Sequence, residues 1–239
     1  MREEPAMDHK VPDLHISGVS TAPGGHYRQV TIEGVGKVEG NVQADDGCKI
    51  SGIVTVRGDL QAASLRCEGK LKVEGRLSAE SSQIDGYADV RGPVHGETLV
   101  LKGGMNVKGD CSLERFDAEG GFEIDGLLNA GQLDIRLYGK GKAREIGGES
   151  IRVRKGVQGA WKKLWQRMFP VWNPELTADL IEGDEADLEH SHVSIVRGNR
   201  VILGPGCRIG LVEYRSELIK HPAAKVGKER KTGDGSHFA

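Results

Sequence analysis

The sequence has few aromatic residues and no long apolar run. Aromatic side chains make up only 5% of the 239 residues, and all three tryptophans lie between positions 161 and 172. No window reaches the roughly 18 apolar residues of a membrane-spanning helix, and the charged residues 1–10 lack the apolar stretch of a secretory signal. We therefore expect a cytoplasmic protein with no spanning helix.

Motifs that carry chemistry are also scarce. The four cysteines at positions 48, 67, 111 and 207 form no CxxC pair, so they predict neither a zinc finger nor a redox couple. No P-loop, dinucleotide fingerprint or GxSxG motif occurs in a fitting context. We expect no catalytic residue, no cofactor and no metal. The formal net charge of −2 creates no global attraction to nucleic acid, and no nucleic-acid partner is expected.

Glycine, in contrast, is abundant and periodic. A first glycine recurs at nearly constant intervals, at positions 34, 52, 69, 86, 103 and 120. A second glycine follows each of these at a fixed distance, at positions 40, 58, 75, 92, 109 and 126. Two positions before each second glycine is a β-branched residue, which gives the column Val38, Val56, Val73, Val90, Val107 and Ile124. A short fixed period is typical of a solenoid, and we predict that this column is its core ladder.

The pattern within each unit indicates strands. Apolar and polar residues alternate, which is the period of a strand with one buried face. A unit of about 17–18 residues divides into three strands of about six residues, so each unit closes one triangular coil. No apolar run holds a helical period, and a propeller blade needs roughly 40 residues. The predicted fold is all-β, a parallel β-helix of about 17–18 residues per coil.

An outward-facing column supports this stacking. It precedes the second glycine of each unit and consists of Glu39, Arg57, Glu74, Arg91, Lys108 and Asp125. The sign of the charge changes at every step except Arg91 to Lys108. Neighbouring coils therefore attract in this register, and a slipped coil would place like charges opposite one another.

Residues 156–175 differ from the repeat. Five apolar residues between Trp161 and Trp172 recur at helical spacing, with basic residues between them, which predicts an amphipathic helix inserted in the solenoid. Such a helix suits a membrane surface. Packing on the solenoid or over its open end, and stacking of the tryptophans on nucleic acid, are the alternatives. The candidate contact residues are Trp161, Lys162, Lys163, Leu164, Trp165, Arg167, Met168, Phe169 and Trp172.

The remaining segments complete a five-part organisation. Residues 1–27 mix proline, glycine and charge, and predict a flexible N-terminal tail. The β-helix domain is expected over residues 28–155, followed by the helical segment 156–175. Alternation returns in residues 176–214, which predicts further coils. Residues 215–239 are polar and net basic, and they predict a disordered tail.

One motif favours an enzyme. Residues 203–210, Leu203-Gly-Pro-Gly-Cys-Arg-Ile-Gly, resemble two hexapeptide units of left-handed β-helix acyltransferases. Such enzymes would use a histidine as base against an acyl-CoA, and His190 and His192 lie nearby in sequence. A corner turn made by Gly-Pro-Gly explains the same residues without catalysis, so the acyltransferase is the alternative function.

The tandem units resemble those of the bactofilins, a bacterial cytoskeletal family. The resemblance rests on units such as Ile50-Ser-Gly-Ile-Val-Thr-Val-Arg-Gly58 and Cys67-Glu-Gly-Lys-Leu-Lys-Val-Glu-Gly75. It implies a right-handed β-helix that polymerises end to end without nucleotide. It also implies filaments on the inner face of the cell membrane that organise cell-shape, envelope or motility proteins. The interruption at residues 156–175 departs from the compact family pattern and would limit assembly if it covered one end.

Overall fold

The computed structural model describes residues 11–156 and 174–233, which form strands joined by short turns. Every pairing between these strands is parallel, and together they form one sheet wound into a solenoid of about 10 turns. The predicted all-β solenoid is thereby confirmed. Its handedness stays a prediction. The strands are β1 (Leu14–Arg57), β2 (Leu60–Val73), β3 (Leu77–Val90), β4 (Val94–His95), β5 (Thr98–Val107), β6 (Cys111–Lys155), β7 (Glu175–Leu188), β8 (Ser191–Leu203), β9 (Arg208–Lys220) and β10 (Lys225–Lys231).

The sequence period is the length of one coil. Gly52 pairs with Gly69 across β1 and β2, and Val56 pairs with Val73 in the same register. These two columns continue through β3, β5 and β6 to Gly120 and Ile124. Repeat positions therefore stack directly on one another at the strand spacing of about 4.8 Å.

The interior of the stack is one continuous hydrophobic core. It extends from Ile16 in the first described coil to Val212 in β9. The six residues predicted as a core ladder are at most 2% exposed. A further buried column, which lies shortly before the first glycine of each unit, was not predicted. It consists of Val30, Cys48, Leu65, Ser82, Leu99 and Phe116.

In the first-glycine column an added Cβ would collide with the backbone of the preceding coil. Gly103 has a φ of 143°, and a Cβ built on it would lie 1.9 Å from the carbonyl oxygen of Gly86. Gly120 stands in the same relation to Gly103, again at 1.9 Å. A residue with a side chain therefore meets both an unfavourable φ and a backbone collision at this corner.

The ordered chain extends beyond both predicted ends. β1 begins at Leu14, so residues 14–27 belong to the solenoid and not to a flexible tail. Their coil is shorter than the one that follows, since Gly18 lies against Gly34 whereas Gly34 lies against Gly52, and this shorter interval hides the repeat. At the other end, β9 runs to Lys220 and β10 follows, so residues 215–231 are not a disordered tail.

The solenoid resumes in register after the inserted segment. β6 pairs with β7 across a longer stretch of sequence than separates other neighbouring coils, for example Lys140 with Glu175 and Val153 with Leu188. The paired residues are therefore separated in sequence by the length of one coil plus that of the inserted segment. Residues 157–173, which carry the predicted amphipathic helix, lie outside the described residues.

Candidate interaction surfaces

The side of the solenoid carries the predicted charged column. Across neighbouring coils, Arg57 lies 3.5 Å from Glu39 and Lys108 lies 3.1 Å from Asp125. Glu74 instead pairs within its own coil, accepting a hydrogen bond from Lys72 at 2.7 Å. A hydrogen bond from Lys37 similarly lowers the pKa of Glu39. These groups are exposed, so each pair contributes little to stability, and the column mainly favours one register.

A second charge ladder stabilises the last coils. Glu182, Arg197, Glu213 and Arg230 occupy one column, and their charges alternate in sign. Glu213 is only 2% exposed, and it accepts a hydrogen bond from Arg197 Nε at 2.7 Å. Arg230 pairs with its other oxygen. This ladder was not predicted, because the intervals between its members are uneven and two of the three are shorter than those of the glycine repeat, although the alternating sign is its signal.

The two ends of the described solenoid differ in charge. Residues 11–27 in the first coil contain Asp13 but no lysine or arginine. At the opposite end, β10 pairs with β9 alone among the described strands and carries Lys225, Lys228, Arg230 and Lys231 against Glu229. Lysine on an edge strand disfavours further strand pairing. The first coil is therefore the better surface for adding another strand.

The cysteines are buried thiols. All four are free, and none is more than 5% exposed. Burial raises the pKa of Cys48 and Cys111 to about 12 and that of Cys67 to about 11. Burial likewise raises the pKa of Cys207, whose Sγ donates to the carbonyl of Leu188 at 3.1 Å. Thiols with raised pKa values are poor nucleophiles. Within residues 11–156 and 174–233, no cluster of three or more histidine, cysteine or acidic residues could hold a metal.

The acyltransferase-like motif forms a corner between β8 and β9. Gly206 has a φ of 78°, and the carbonyl of Pro205 accepts a hydrogen bond from the backbone N–H of His190 at 3.0 Å. His192 Nδ1 lies 3.0 Å from Glu175 Oε1. The motif therefore has a structural role as a turn, and both histidines lie on the same side of the solenoid.

The predicted membrane-contact residues, from Trp161 to Trp172, all fall outside the described part of the chain. Among the residues that are described, no helix has the length and apolar character needed to cross a membrane. The position at which the segment joins the solenoid is defined, however. Gly156 and Pro174 flank it between β6 and β7, and β8, β9 and β10 continue the stack beyond that point.

Comparison with known proteins identifies the repeat. The sequence model of the family described as "Bactofilin: Polymer-forming cytoskeletal" matches residues 14–129. Residues 14–129 form a bactofilin domain. Its first matched residue is the first residue of β1, which assigns the unpredicted first coil to the domain. β7 to β10 extend the solenoid beyond the match.

Two relatives from Bacillus subtilis (strain 168) share sequence with the bactofilin domain. "Uncharacterized protein YhbE" is 44% identical over 104 residues, which cover 42% of this chain and 41% of the relative. "Uncharacterized protein YhbF" is 35% identical over 107 residues, covering 44% of this chain and 42% of the relative. The chain thus matches about two fifths of the length of each. No solved structure matches.

Proposed function

We propose that this protein is a structural scaffold that self-assembles end to end, without nucleotide, and lies on the inner face of the cell membrane. The observation that carries the proposal is the pair of unlike strand edges that end the described solenoid. Strand edges are templates for pairing with a further chain. The bactofilin domain, from a family described as polymer-forming and cytoskeletal, supports the same function.

The charges at the two ends favour contacts that use the first coil. Two β10 edges in contact would bring together Lys228 and Lys231 of both copies, and like charges across paired strands are unfavourable. Pairing of β10 with the first coil avoids this repulsion, because residues 11–27 contain no lysine or arginine. A head-to-tail contact of this kind does not close on itself, so it generates a filament.

Electron microscopy of the purified protein, without nucleotide, should show filaments, and lysines in the first coil should abolish them. Ser17 and Ser20 are exposed, and the double variant Ser17→Lys with Ser20→Lys makes both ends basic. Sedimentation should then show only monomers or dimers. The matched control, Gln61→Lys with Ser81→Lys, adds the same charge to exposed positions within the stack and should leave filaments intact.

Two outcomes contradict end-to-end assembly. One is an unaltered protein that stays strictly monomeric across protein and salt concentration. The other is a first-coil variant whose circular dichroism and filaments both match those of the control. If the double first-coil variant loses the circular dichroism spectrum of β-sheet, it has unfolded, and the single variant Ser17→Lys is tested instead. The filaments of that single variant should be shorter or fewer than those of the unaltered protein.

Membrane association is the second part of the proposal. The segment between Gly156 and Pro174 contains all three tryptophans together with several lysine and arginine residues, a composition suited to an anionic membrane surface. Its attachment point favours this use over capping, because the coils of β8, β9 and β10 lie between it and the C-terminal edge. The scaffold would recruit cell-shape, envelope or motility proteins to that surface.

Changing Trp161, Trp165 and Trp172 together to glutamate should release the protein from anionic liposomes. The change removes the aromatic contacts with the interface and adds three negative charges. A control with glutamate at the exposed positions Gln43, Gln61 and Ser81 adds the same charge to the solenoid. Co-sedimentation should fall at least about tenfold for the tryptophan variant relative to the control, and equal co-sedimentation of the two would contradict membrane contact by this segment.

A further inference from the structure

A pocket of about 320 Å³ opens on the side of the C-terminal coils. It crosses several coils, because its walls come from the end of β6, the start of β7, the β7–β8 turn, and the starts of β9 and β10. We call it the basic pocket. Its charged and titratable wall residues are Lys155, Glu175, His190, His192, Cys207, Arg208 and Lys225.

The basic pocket departs from the charge pattern of the surrounding coils. His192 pairs in register with Arg208, and Arg208 pairs in register with Lys225. Two permanent positive charges therefore stand on adjacent strands, which is unfavourable. The ladder from Glu182 to Arg230 alternates in sign through the same coils. The stack of like charge at the pocket therefore contrasts with the alternating ladder in the same coils.

Nearby carboxylates leave most of this charge uncompensated. Glu175 lies 3.0 Å from His192 Nδ1, and Glu189 is paired with Arg154 at 3.5 Å. Within the described chain, the side chains of Lys155, Arg208 and Lys225 make no ion pair. Three cations facing one open volume would be stabilised by an anion placed among them.

His190 is held over the same pocket in an unusual conformation. Its φ of 45° is the only positive φ of a non-glycine residue among those described. The ring lies against Gly206, where an added Cβ would be 2.6 Å from His190 Nδ1. Val153 pairs with Leu188, so Lys155 and His190 follow at neighbouring positions. A sparsely populated backbone conformation maintained beside a charge cluster is a feature of binding sites.

We propose that the basic pocket binds a phosphate group. Arginine and lysine are the usual side chains for phosphate, since a guanidinium donates two parallel hydrogen bonds and an ammonium adds a point charge. The volume suits a phosphate with a small organic substituent. The phosphate can come from a free phosphate compound or from the headgroup of an anionic lipid. The proposal depends neither on filament formation nor on residues 157–173.

Titration calorimetry with inorganic phosphate and with glycerol phosphate tests the pocket directly. The pocket variant, Arg208→Gln with Lys225→Gln, should bind both at least about tenfold more weakly than the unaltered protein. The matched control is Lys228→Gln with Lys231→Gln, which removes the same charge from the same end but from residues outside the pocket wall. The control should keep full affinity.

Vesicles then distinguish the two sources of phosphate. If the pocket variant also loses binding to phosphatidylglycerol vesicles while the control retains it, the ligand is a lipid headgroup. If vesicle binding is unchanged while glycerol phosphate binding is lost, the ligand is a free phosphate compound. Without phosphate, the pocket variant should melt no lower than the control, because it relieves repulsion.

Either of two results overturns the proposal. The unaltered protein shows no saturable binding of phosphate or glycerol phosphate, or the pocket variant and the control lose affinity equally. A pocket failure leaves filament assembly and the tryptophan-dependent membrane contact untouched, so it is distinguishable from a failure of the proposed function.

Discussion

Replacing Gly103 with alanine should lower the free energy of unfolding by about 3–5 kcal/mol. The added Cβ would lie 1.9 Å from the carbonyl oxygen of Gly86 and 2.8 Å from its carbonyl carbon. Relief by moving the backbone is difficult, since the next coil makes the same close approach through Gly120. The residue must also adopt a φ of 143°, where side chains other than hydrogen are strained.

A variant at Gly40 separates the effect of the positive φ from the effect of the backbone collision. Gly40 also has a positive φ, 106°, but a Cβ added there would have its nearest neighbour at 3.7 Å. Gly40→Ala should therefore report backbone strain alone, about 1–2 kcal/mol. Urea unfolding followed by circular dichroism measures both variants. The comparison belongs at one protein concentration below the onset of assembly, because polymerisation makes stability depend on concentration.

An equal cost for the two alanine variants would contradict the close-approach explanation. The loss would then come from φ alone, and stacked carbonyl contacts would have no part in selecting glycine. A larger cost at Gly103 would instead explain why the first glycines recur so regularly. Each first glycine leaves room for a carbonyl oxygen of the preceding coil. The glycine period in the sequence would therefore result from this contact between coils.

Much of the fold was predictable because its physical requirements repeat. The contact between each first glycine and the preceding coil requires glycine at one position of every coil, and the core ladder requires a β-branched residue at another. Recurring residues such as Val56 and Val73 therefore reveal the period. The column from Val30 to Phe116 is also buried but was not predicted, because its side chains range in size from that of Ser82 to that of Phe116. In this column the side chains of neighbouring coils need only fill the core volume together. No one residue type therefore recurs at that position of the sequence.

The ends and the candidate site were less predictable for a different reason. β10 is held to β9 by backbone pairing, such as that between Val226 and Ile209, which requires few apolar side chains. Its polar composition therefore resembles that of a disordered segment. The basic pocket depends on register, since two unequal intervals place His192, Arg208 and Lys225 in one column. The interval from His192 to Arg208 is shorter than any interval between first glycines in residues 34–120, so the glycine period does not predict this column.

Replacing Phe116 with alanine should cost about 3–5 kcal/mol, because it leaves a cavity in the narrow core. Phe116 is completely buried, and its ring meets that of Phe122 edge to face, with centroids 5.5 Å apart. Its register partner in the preceding coil is Leu99, so the cavity would open between stacked coils. Phe116→Leu, the matched control, retains most of the volume and should cost less than half as much.

The same variant tests how the solenoid distributes its stability. Each coil contacts only its neighbours, so a cavity at Phe116 should weaken the stack locally. Hydrogen exchange should therefore accelerate most in β5 and in the part of β6 that pairs with it, and least in β8. Uniform acceleration from β1 to β9 would instead mean that the solenoid unfolds as one cooperative unit. In that case the alanine and leucine variants should still differ in total cost, since the volume lost at Phe116 sets the penalty in either mechanism.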